Sequence, residues 1–328
     1  MHPIFQINVE IALNLGLYTI ISKAINHMET ILIAGGTGLI GLELSKIFIE
    51  KGYRVRILSR RKLRSKEMEY FVWDVPNAYL EPNALQGVDH IINLAGANIG
   101  AQKWTTSRKK VILDSRVQST QLLYDEVVKQ AIPLKTFITS SAVGYYGSIT
   151  SSQVFAETDQ PANDFLGSVC RQWETASYAF QNIGIRSVQI RTGVVLSKEE
   201  GALPKMLKPI RMGLGAVLGS GKQYIPWIHL EDICQIYAFA VENEKLVGAY
   251  NAVAPQSIQN DAFTHILSQK INKKILLPTI PEWVLKLILG EMSDLVLKGS
   301  RVSSNKIQSE GFKFQYENIE NALNQLLI

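Results

Sequence analysis

Ile31-Leu32-Ile33-Ala34-Gly35-Gly36-Thr37-Gly38-Leu39-Ile40-Gly41 is the stretch that decides the fold of this chain. A short apolar run leads at once into Gly-x-x-Gly-x-x-Gly, and then into the helical spacing Leu44, Ile47, Phe48. That order predicts a strand, a tight turn and a helix whose N-terminus faces the turn. Free N–H groups at such a helix start hold a pyrophosphate, and the helix dipole favours its negative charge. Gly35 is expected to allow the turn, Gly38 to let the backbone approach the phosphates, and Gly41 to let helix pack on strand. Thr37, Leu39 and Ile40 lie in the same turn and are candidate contacts with it. A tight turn without a ligand is the plainer alternative; the strand before and the helix after are the context that argues against it.

Composition narrows the class. The chain has 328 residues, enough for one large α/β domain and a smaller lobe. Hydrophobic residues make up 46% and charged residues 19%, an ordinary globular balance. The formal net charge of +5 is modest, and only Arg60 to Lys66 forms a basic cluster. One such loop is too little for a nucleic-acid surface, so no nucleic-acid partner is expected. Cys170 and Cys234 make no disulfide framework, no two histidines stand at metal-ligand spacing, and no metal site is expected. Such cysteine usage fits a reducing, cytoplasmic setting. Residues 1–27 contain no Arg, one Lys (Lys23) and one acid (Glu10), unlike a secretory or mitochondrial leader. Ile11 to Ile21 is interrupted by Asn14 and too short to span a bilayer, so no membrane partner is expected. Residues 1–27 read as an extension outside the fold, or an upstream-start artefact. An amphipathic helix with Ile7, Ile11, Leu15, Tyr18 and Ile25 on one face, docking on the domain or on a membrane surface, is the alternative.

Strands and helices alternate along the rest. Arg54 to Leu58 reads as a second strand ending at Ser59-Arg60, Phe71 to Trp73 as a third ending at Asp74, and Val88 to Leu94 as a fourth. A helix is predicted over Val111 to Val128, a fifth strand over Thr136 to Ser140, a helix over Asp164 to Asn182, and a sixth strand over Arg186 to Arg191. This alternation predicts an α/β fold, a Rossmann-type doubly wound parallel sheet. Ligands bind such sheets at the carboxyl ends of the strands. The nucleotide-binding domain is expected over residues 28–240, with substrate-lobe insertions from about 195. A smaller C-terminal substrate lobe follows over 241–328. In that lobe Pro281 opens a helix to Leu289, and residues 317–328 form a last one.

Several clusters fall at strand ends. A carboxylate after the second strand would accept from a free ribose hydroxyl, whereas arginine suits a 2′-phosphate. Here the strand ends in Ser59-Arg60-Arg61 with no adjacent acid, which favours NADP, with NADPH preferred over NADH. Leu94, Ala95 and Gly96 end the fourth strand with small residues that let the chain run beneath a cofactor. Ser140 and Ser141 end the fifth strand, followed by Gly144-Tyr145-Tyr146-Gly147. Tyr145, Tyr146 and Ser141 are the candidate proton donors, with Tyr145 preferred because it sits in a glycine-flanked loop; packing at the core edge is the alternative for both tyrosines. Arg116, on the next helix, is a candidate for a cofactor phosphate or a substrate anion, with a structural ion pair as the alternative. His229 and Asp232 read as hydrogen-bonded structure rather than catalysts. Arg301 and Lys205 are basic residues in the substrate lobe, able to attract an anion such as a nucleotide sugar.

These motifs together resemble the extended short-chain dehydrogenase/reductase superfamily. More narrowly, they resemble an atypical epimerase-like family within the NAD-dependent epimerase/dehydratase superfamily that carries a C-terminal domain of unknown function, here at about residues 274–324. Besides the glycine turn, the resemblance is carried by Leu58-Ser59-Arg60-Arg61, Asn93 to Ile99, Lys103-Trp104-Thr105, Leu113 to Val117, Ser141 to Gly147, Arg191 to Leu196, Gly219 to Gln223, Trp227-Ile228-His229 and Leu289 to Met292. It implies a nicotinamide cofactor touching residues 35–41, the strand ends already named, Asp74 and Val194. It also implies a small-molecule substrate. The superfamily places Tyr-x-x-x-Lys on the helix after the fifth strand, where the lysine lowers the tyrosine's pKa. With Glu174 setting the register, Leu166 stands at the tyrosine position and Cys170 at the lysine position. Ala142, with Ser141 beside it, stands at the usual serine. The expected function is an NADP(H)-binding epimerase-like oxidoreductase acting on a small molecule such as a nucleotide sugar or carbonyl compound. A non-catalytic NADP(H) sensor is the alternative.

Overall fold

The computed structural model describes residues 28–327; the readings made for residues 1–27 lie outside the described residues. Strand β1 (Thr30–Ala34) is buried along its whole length. It is followed by helix α1 (Leu39–Glu50), β2 (Arg54–Ser59), β3 (Glu69–Asp74), the short β4 (Tyr79–Leu80) and β5 (His90–Asn93). Next come α2 (Thr106–Lys129), β6 (Thr136–Ala142), β7 (Val154–Phe155), α3 (Phe165–Tyr178), β8 (Arg186–Thr192), β9 (Val194–Leu196) and α4 (Ala202–Arg211). After them stand β10 (Tyr224–Ile225), β11 (Trp227–His229), α5 (Leu230–Glu242) and β12 (Gly248–Ala252).

The central sheet has eight strands in the order β12-β8-β6-β5-β1-β2-β3-β4. All neighbours pair in parallel except β3 and β4. This is the doubly wound arrangement that the alternation predicts, with its topological switch point between β1 and β5. The edge strand β12 lies beyond residue 240, so the sheet runs past the domain boundary expected there.

Two layers of helices cover the sheet, because both faces of a parallel sheet are apolar. One core joins Ile31, Ile33 and Ile57 to Leu44 and Phe48 of α1 and to Ile233, Ile236 and Tyr237 of α5. The other joins Leu32, Leu58 and Ile91 to Leu122, Leu123 and Val127 of α2. There Phe137 stacks on Phe180 with centroids 3.8 Å apart. Each of these large side chains contributes roughly 1.5–3 kcal/mol by leaving water. The lobe has a separate core around Trp227, Phe263 and Leu323. The elements of the lobe are β13 (Ile258–Gln259), α6 (Asn260–Lys270), α7 (Glu282–Leu289), β14 (Arg301–Val302) and the final helix Ile319–Leu327, and its core is filled from α4, α6 and the final helix.

The helix ends are fixed by local chemistry. Thr105 caps α2 by accepting from the Arg108 amide. Asp164 caps α3 through the Gly167 amide at 2.8 Å, and its other oxygen accepts from Ser148 N at 2.6 Å. One carboxylate therefore ties α3 to the loop after β6, where Tyr145 lies.

Candidate functional site

The parallel strands bring their carboxyl ends to one edge, and the glycine turn is its centre. Gly35 has φ +78°, and a Cβ there would lie 3.0 Å from the backbone of both Leu94 and Ala95. The turn after β1 and the loop after β5 are thus held together by the absence of a side chain. A Cβ at Gly41 would lie 2.5 Å from Gly36 Cα, so glycine at this position lets the first turn of α1 sit against the glycine turn, while Leu44 and Phe48 pack on the strand. Gly38 differs: a Cβ there meets nothing nearer than the Gly35 carbonyl oxygen at 3.4 Å. Gly38 is the N-cap of α1, and the space beside it is open. No side chain caps α1 and its first turn holds no acid. Its first amides are therefore available to an anion.

At the end of β2, the Ser59 hydroxyl accepts from Arg61 N at 3.2 Å. Arg60 and Arg61 are exposed, and neither enters an ion pair among the described residues. Their neighbour Lys62 is by contrast paired with Glu81 at 2.6 Å. Asp74, at the end of β3, accepts from Asn77 Nδ2 at 2.8 Å and closes the turn to β4.

The loop after β5 is shaped by α2. Buried Asn93 accepts from Ala95 N at 3.1 Å and donates to Thr120 at 3.1 Å. Ser115 accepts from Ala97 N at 2.9 Å. Arg116 donates from Nη1 to the carbonyls of Ala97 at 3.1 Å and Ile112 at 2.9 Å, with its guanidinium 5.0 Å from the Trp173 ring. No ion pair of Arg116 is found among the described residues. It is instead a half-buried cation pressed against Gly96, whose Cβ would lie 3.0 Å from Arg116 Cζ.

On α3, Leu166 and Cys170 both face Gly144, the residue before Tyr145. Leu166 belongs to an apolar cluster with Trp104, Phe165 and Met292. Burial pushes the Cys170 thiol up to about 12, and the nearby Glu174 adds to the effect. A thiol so placed stays protonated and supplies no charge.

The charge that does lie here is one that residue spacing does not announce. Arg191, at the end of β8, makes a bidentate pair with Glu174, Nε to Oε1 and Nη2 to Oε2 both at 2.9 Å. Both side chains are buried. Ser141 is buried as well and donates to Glu174 Oε1 at 2.7 Å. Arg191 Nη1 donates at 3.0 Å to the Tyr146 hydroxyl, which donates in turn to Asn251 Oδ1 at 2.7 Å. In the sequence Arg191 is visible only as part of a motif; its pairing with Glu174 needs the fold. Tyr145 lies over this network in the turn Val143–Tyr146. Its ring stands 3.4 Å from Arg191 Cζ and edge-on to Tyr146 at 5.4 Å. Half-burial raises the Tyr145 phenol's pKa, while the charge of Arg191 acts to lower it. The structure separates the two tyrosines: Tyr146 is locked in the core, whereas Tyr145 is half-buried.

Ser140 is half-buried beside this group. Val194 opens β9, which pairs with β11. Arg301 lies near Tyr224 at 5.8 Å, with its buried Nε making no hydrogen bond, and Lys205 is exposed on α4. Among the described residues no group of His, Cys, Asp and Glu is arranged to hold a metal ion.

His229 and Asp232 are structural. His229 Nδ1 accepts from Glu231 N at 3.1 Å and caps α5, while Nε2 faces Gln325 Oε1 at 3.0 Å. Asp232 accepts from Gln315 N and Tyr316 N. Burial lowers the His229 pKa from 6.5, and burial lowers that of His90 too. A depressed histidine means that the unfolded chain binds more protons near that pH. The stability it contributes is present above about pH 6.5 and lost as pH falls toward the folded value. The melting temperature is therefore expected to drop as pH is lowered from about 7 to about 5.5. His229→Asn keeps a capping side chain and should flatten part of that slope. A pH series of melting curves on the two proteins checks it; identical slopes would contradict the role given to His229.

Comparison with known proteins covers the whole of this architecture. Residues 31–253 match the family model described as the NAD dependent epimerase/dehydratase family, and residues 280–326 match a domain of unknown function, DUF1731. The epimerase family protein YfhF of Bacillus subtilis (strain 168) is 37% identical over 299 residues, covering 90% of this chain and 97% of the relative. The epimerase family protein ML0860 of Mycobacterium leprae is 34% identical over 300 residues, covering 91% and 95%. Among solved structures, the human epimerase family protein SDR39U1 (isoform 2) with NADPH aligns with TM-score 0.81 and 29% identity, covering 90% of this chain and 98% of that one. The UDP-glucuronic acid 4-epimerase of Bacillus cereus, in complex with NAD, aligns with TM-score 0.71 at 16% identity, covering 90% and 99%. At that identity it speaks for the fold alone.

Proposed function

The chain belongs to the NAD dependent epimerase/dehydratase family, and from that premise we propose that it is an NADP(H)-binding, epimerase-like oxidoreductase acting on a small carbonyl compound or nucleotide sugar. The observation that carries this reading is the phosphate turn. The space beside Gly38 is open, and two unpaired arginines stand at the end of the adjacent strand. The relative solved with NADPH supports the choice of NADP. Residues 35–41 would hold the pyrophosphate and Arg60 and Arg61 the 2′-phosphate. Ser59, Asp74, Leu94 to Gly96, Arg116, Ser140 and Val194 would line the rest of the cofactor cleft.

Bound NADP(H) supplies hydride chemistry, and the chain supplies orientation and a proton. Tyr145 holds that proton at its phenol oxygen. A phenol is ordinarily protonated near neutral pH and burial raises its pKa further, so its role is to donate. Ser141 is not carried into this role, because its proton is committed to Glu174 inside the core. Arg191 holds Tyr145 from beneath its ring.

NADPH is expected to bind more tightly than NADH. The double variant Arg60→Ala/Arg61→Ala should shrink that difference by roughly one to three kcal/mol, the range for charge-assisted hydrogen bonds. Calorimetric titration of both cofactors against both proteins tests it, and equal affinities in the unaltered protein would sink the assignment. A second reading, a protein that binds NADP(H) without turnover, is favoured by Leu166 and Cys170, which make the usual acid–base positions apolar. Saturable NADPH binding with no turnover over a broad carbonyl and nucleotide-sugar panel would select it.

A further inference from the structure

The C-terminal lobe carries a face that the cofactor reading does not use. Helix α7 turns Leu285 inward and leaves Trp283, Leu287 and Ile288 exposed by 68%, 74% and 56%. These stand at i, i+4 and i+5, spread over an arc of about 140° of the helix surface. Leu276, Met212 and Leu214 are exposed by more than half on adjoining segments. The segments are neighbours: Ile280 N donates to Val217 O at 2.9 Å, Gly219 N donates to Ile280 O at 2.9 Å, and Gly215 packs against Ile275. Single exposed apolar side chains need no explanation, but six of them on a helix and the two adjoining segments point to an interaction surface.

The charge on the two adjoining segments is of one sign. Residues 201–219 and 271–281 contain Lys205, Lys208, Arg211, Lys273 and Lys274 and no Asp or Glu. Those five positive charges equal the formal net charge of the whole chain, +5, so the remainder is balanced. All five are exposed, and none joins an ion pair among the described residues. Glu282, the nearby acid on α7, is spent on Lys286 at 3.4 Å.

We propose that this face docks the protein on an anionic lipid surface. Exposed Trp and Leu enter the headgroup boundary while lysines meet the lipid phosphates, the pairing of two weak signals that holds a peripheral protein. A second copy of the chain fits less well, because a symmetric contact would set the five cations against their own kind. No helix among the described residues is long and apolar enough to cross a membrane. Attachment to a surface needs none, so this departs from the expectation that no membrane is involved.

The test is co-sedimentation of the full-length protein with phosphatidylcholine vesicles that contain or lack phosphatidylglycerol. Binding to the anionic vesicles should exceed binding to the neutral ones by at least about tenfold and weaken as salt is added. Trp283→Ser/Leu287→Ser and Lys208→Glu/Lys274→Glu should each reduce it at least about tenfold. All four side chains are exposed, so melting temperature and NADPH titration should not change. Equal binding to both vesicle types would overturn the proposal, as would binding that neither variant alters, which would place the contact elsewhere in the chain. Light scattering that shows a dimer dissolved by the Trp283 variant, with no vesicle binding, would assign the face to a second copy instead.

Discussion

Arg191→Met is expected to lower folding stability by about 3–5 kcal/mol, because it strands the buried Glu174 carboxylate without its bidentate partner. Ser141 would still donate one hydrogen bond to Glu174, but one hydroxyl does not replace a guanidinium. The double variant Arg191→Met/Glu174→Leu removes the stranded charge together with its partner. It should therefore recover much of the loss, since apolar replacements of a buried pair are often close to neutral. Urea unfolding of the three proteins measures this through the midpoint at constant slope. A loss below about 1 kcal/mol in the single variant would place the pair among weakly coupled surface ion pairs and contradict its burial.

Tyr145→Phe should reduce turnover of any carbonyl substrate by roughly 10²–10⁴-fold, the contribution of a positioned general acid. NADPH affinity should hardly change, because the ring and its stacking on Arg191 persist. Cys170→Ala is the contrasting case. It removes a thiol buried beside Gly144 and held protonated, so activity should survive with only a packing loss. Side-by-side kinetics of the two variants separate the roles. An inactive Cys170 variant beside a fully active Tyr145 variant would reverse the assignment.

Much of the cleft is legible in the order of residues along the chain. The glycine turn needs only the local succession of strand, turn and helix. Arginines at the end of β2 announce themselves by position and by the lack of a nearby acid. The departure of Leu166 and Cys170 from the superfamily pattern is also a matter of counting along one helix. His229 and Asp232 read as structure, and in the fold they cap α5 and anchor residues 315 and 316.

Other roles are hidden in the sequence for a physical reason. Glu174 and Arg191 are 17 positions apart, and Tyr146 and Asn251 are 105 apart. Nothing in the spacing of such residues says that they meet. Ser141 reads as a proton donor because it ends a strand at the right edge; only the turn of β6 decides that its hydroxyl points at Glu174 and not into the cleft. For Arg116 the sequence leaves open a ligand or an ion pair, and the packing of α2 on the loop after β5 presents a third arrangement, backbone carbonyls and an indole face.

The sequence by itself determined the doubly wound sheet, the glycine turn and the departure from the Tyr–Lys pattern, because periodicity, glycine and register act between residues close along the chain. Only the tertiary structure decided which polar groups are spent on one another in the core and which still face the cleft. Burial and hydrogen bonding at this edge are settled by side chains that arrive from distant strands and helices, and a side chain's chemistry depends on those neighbours.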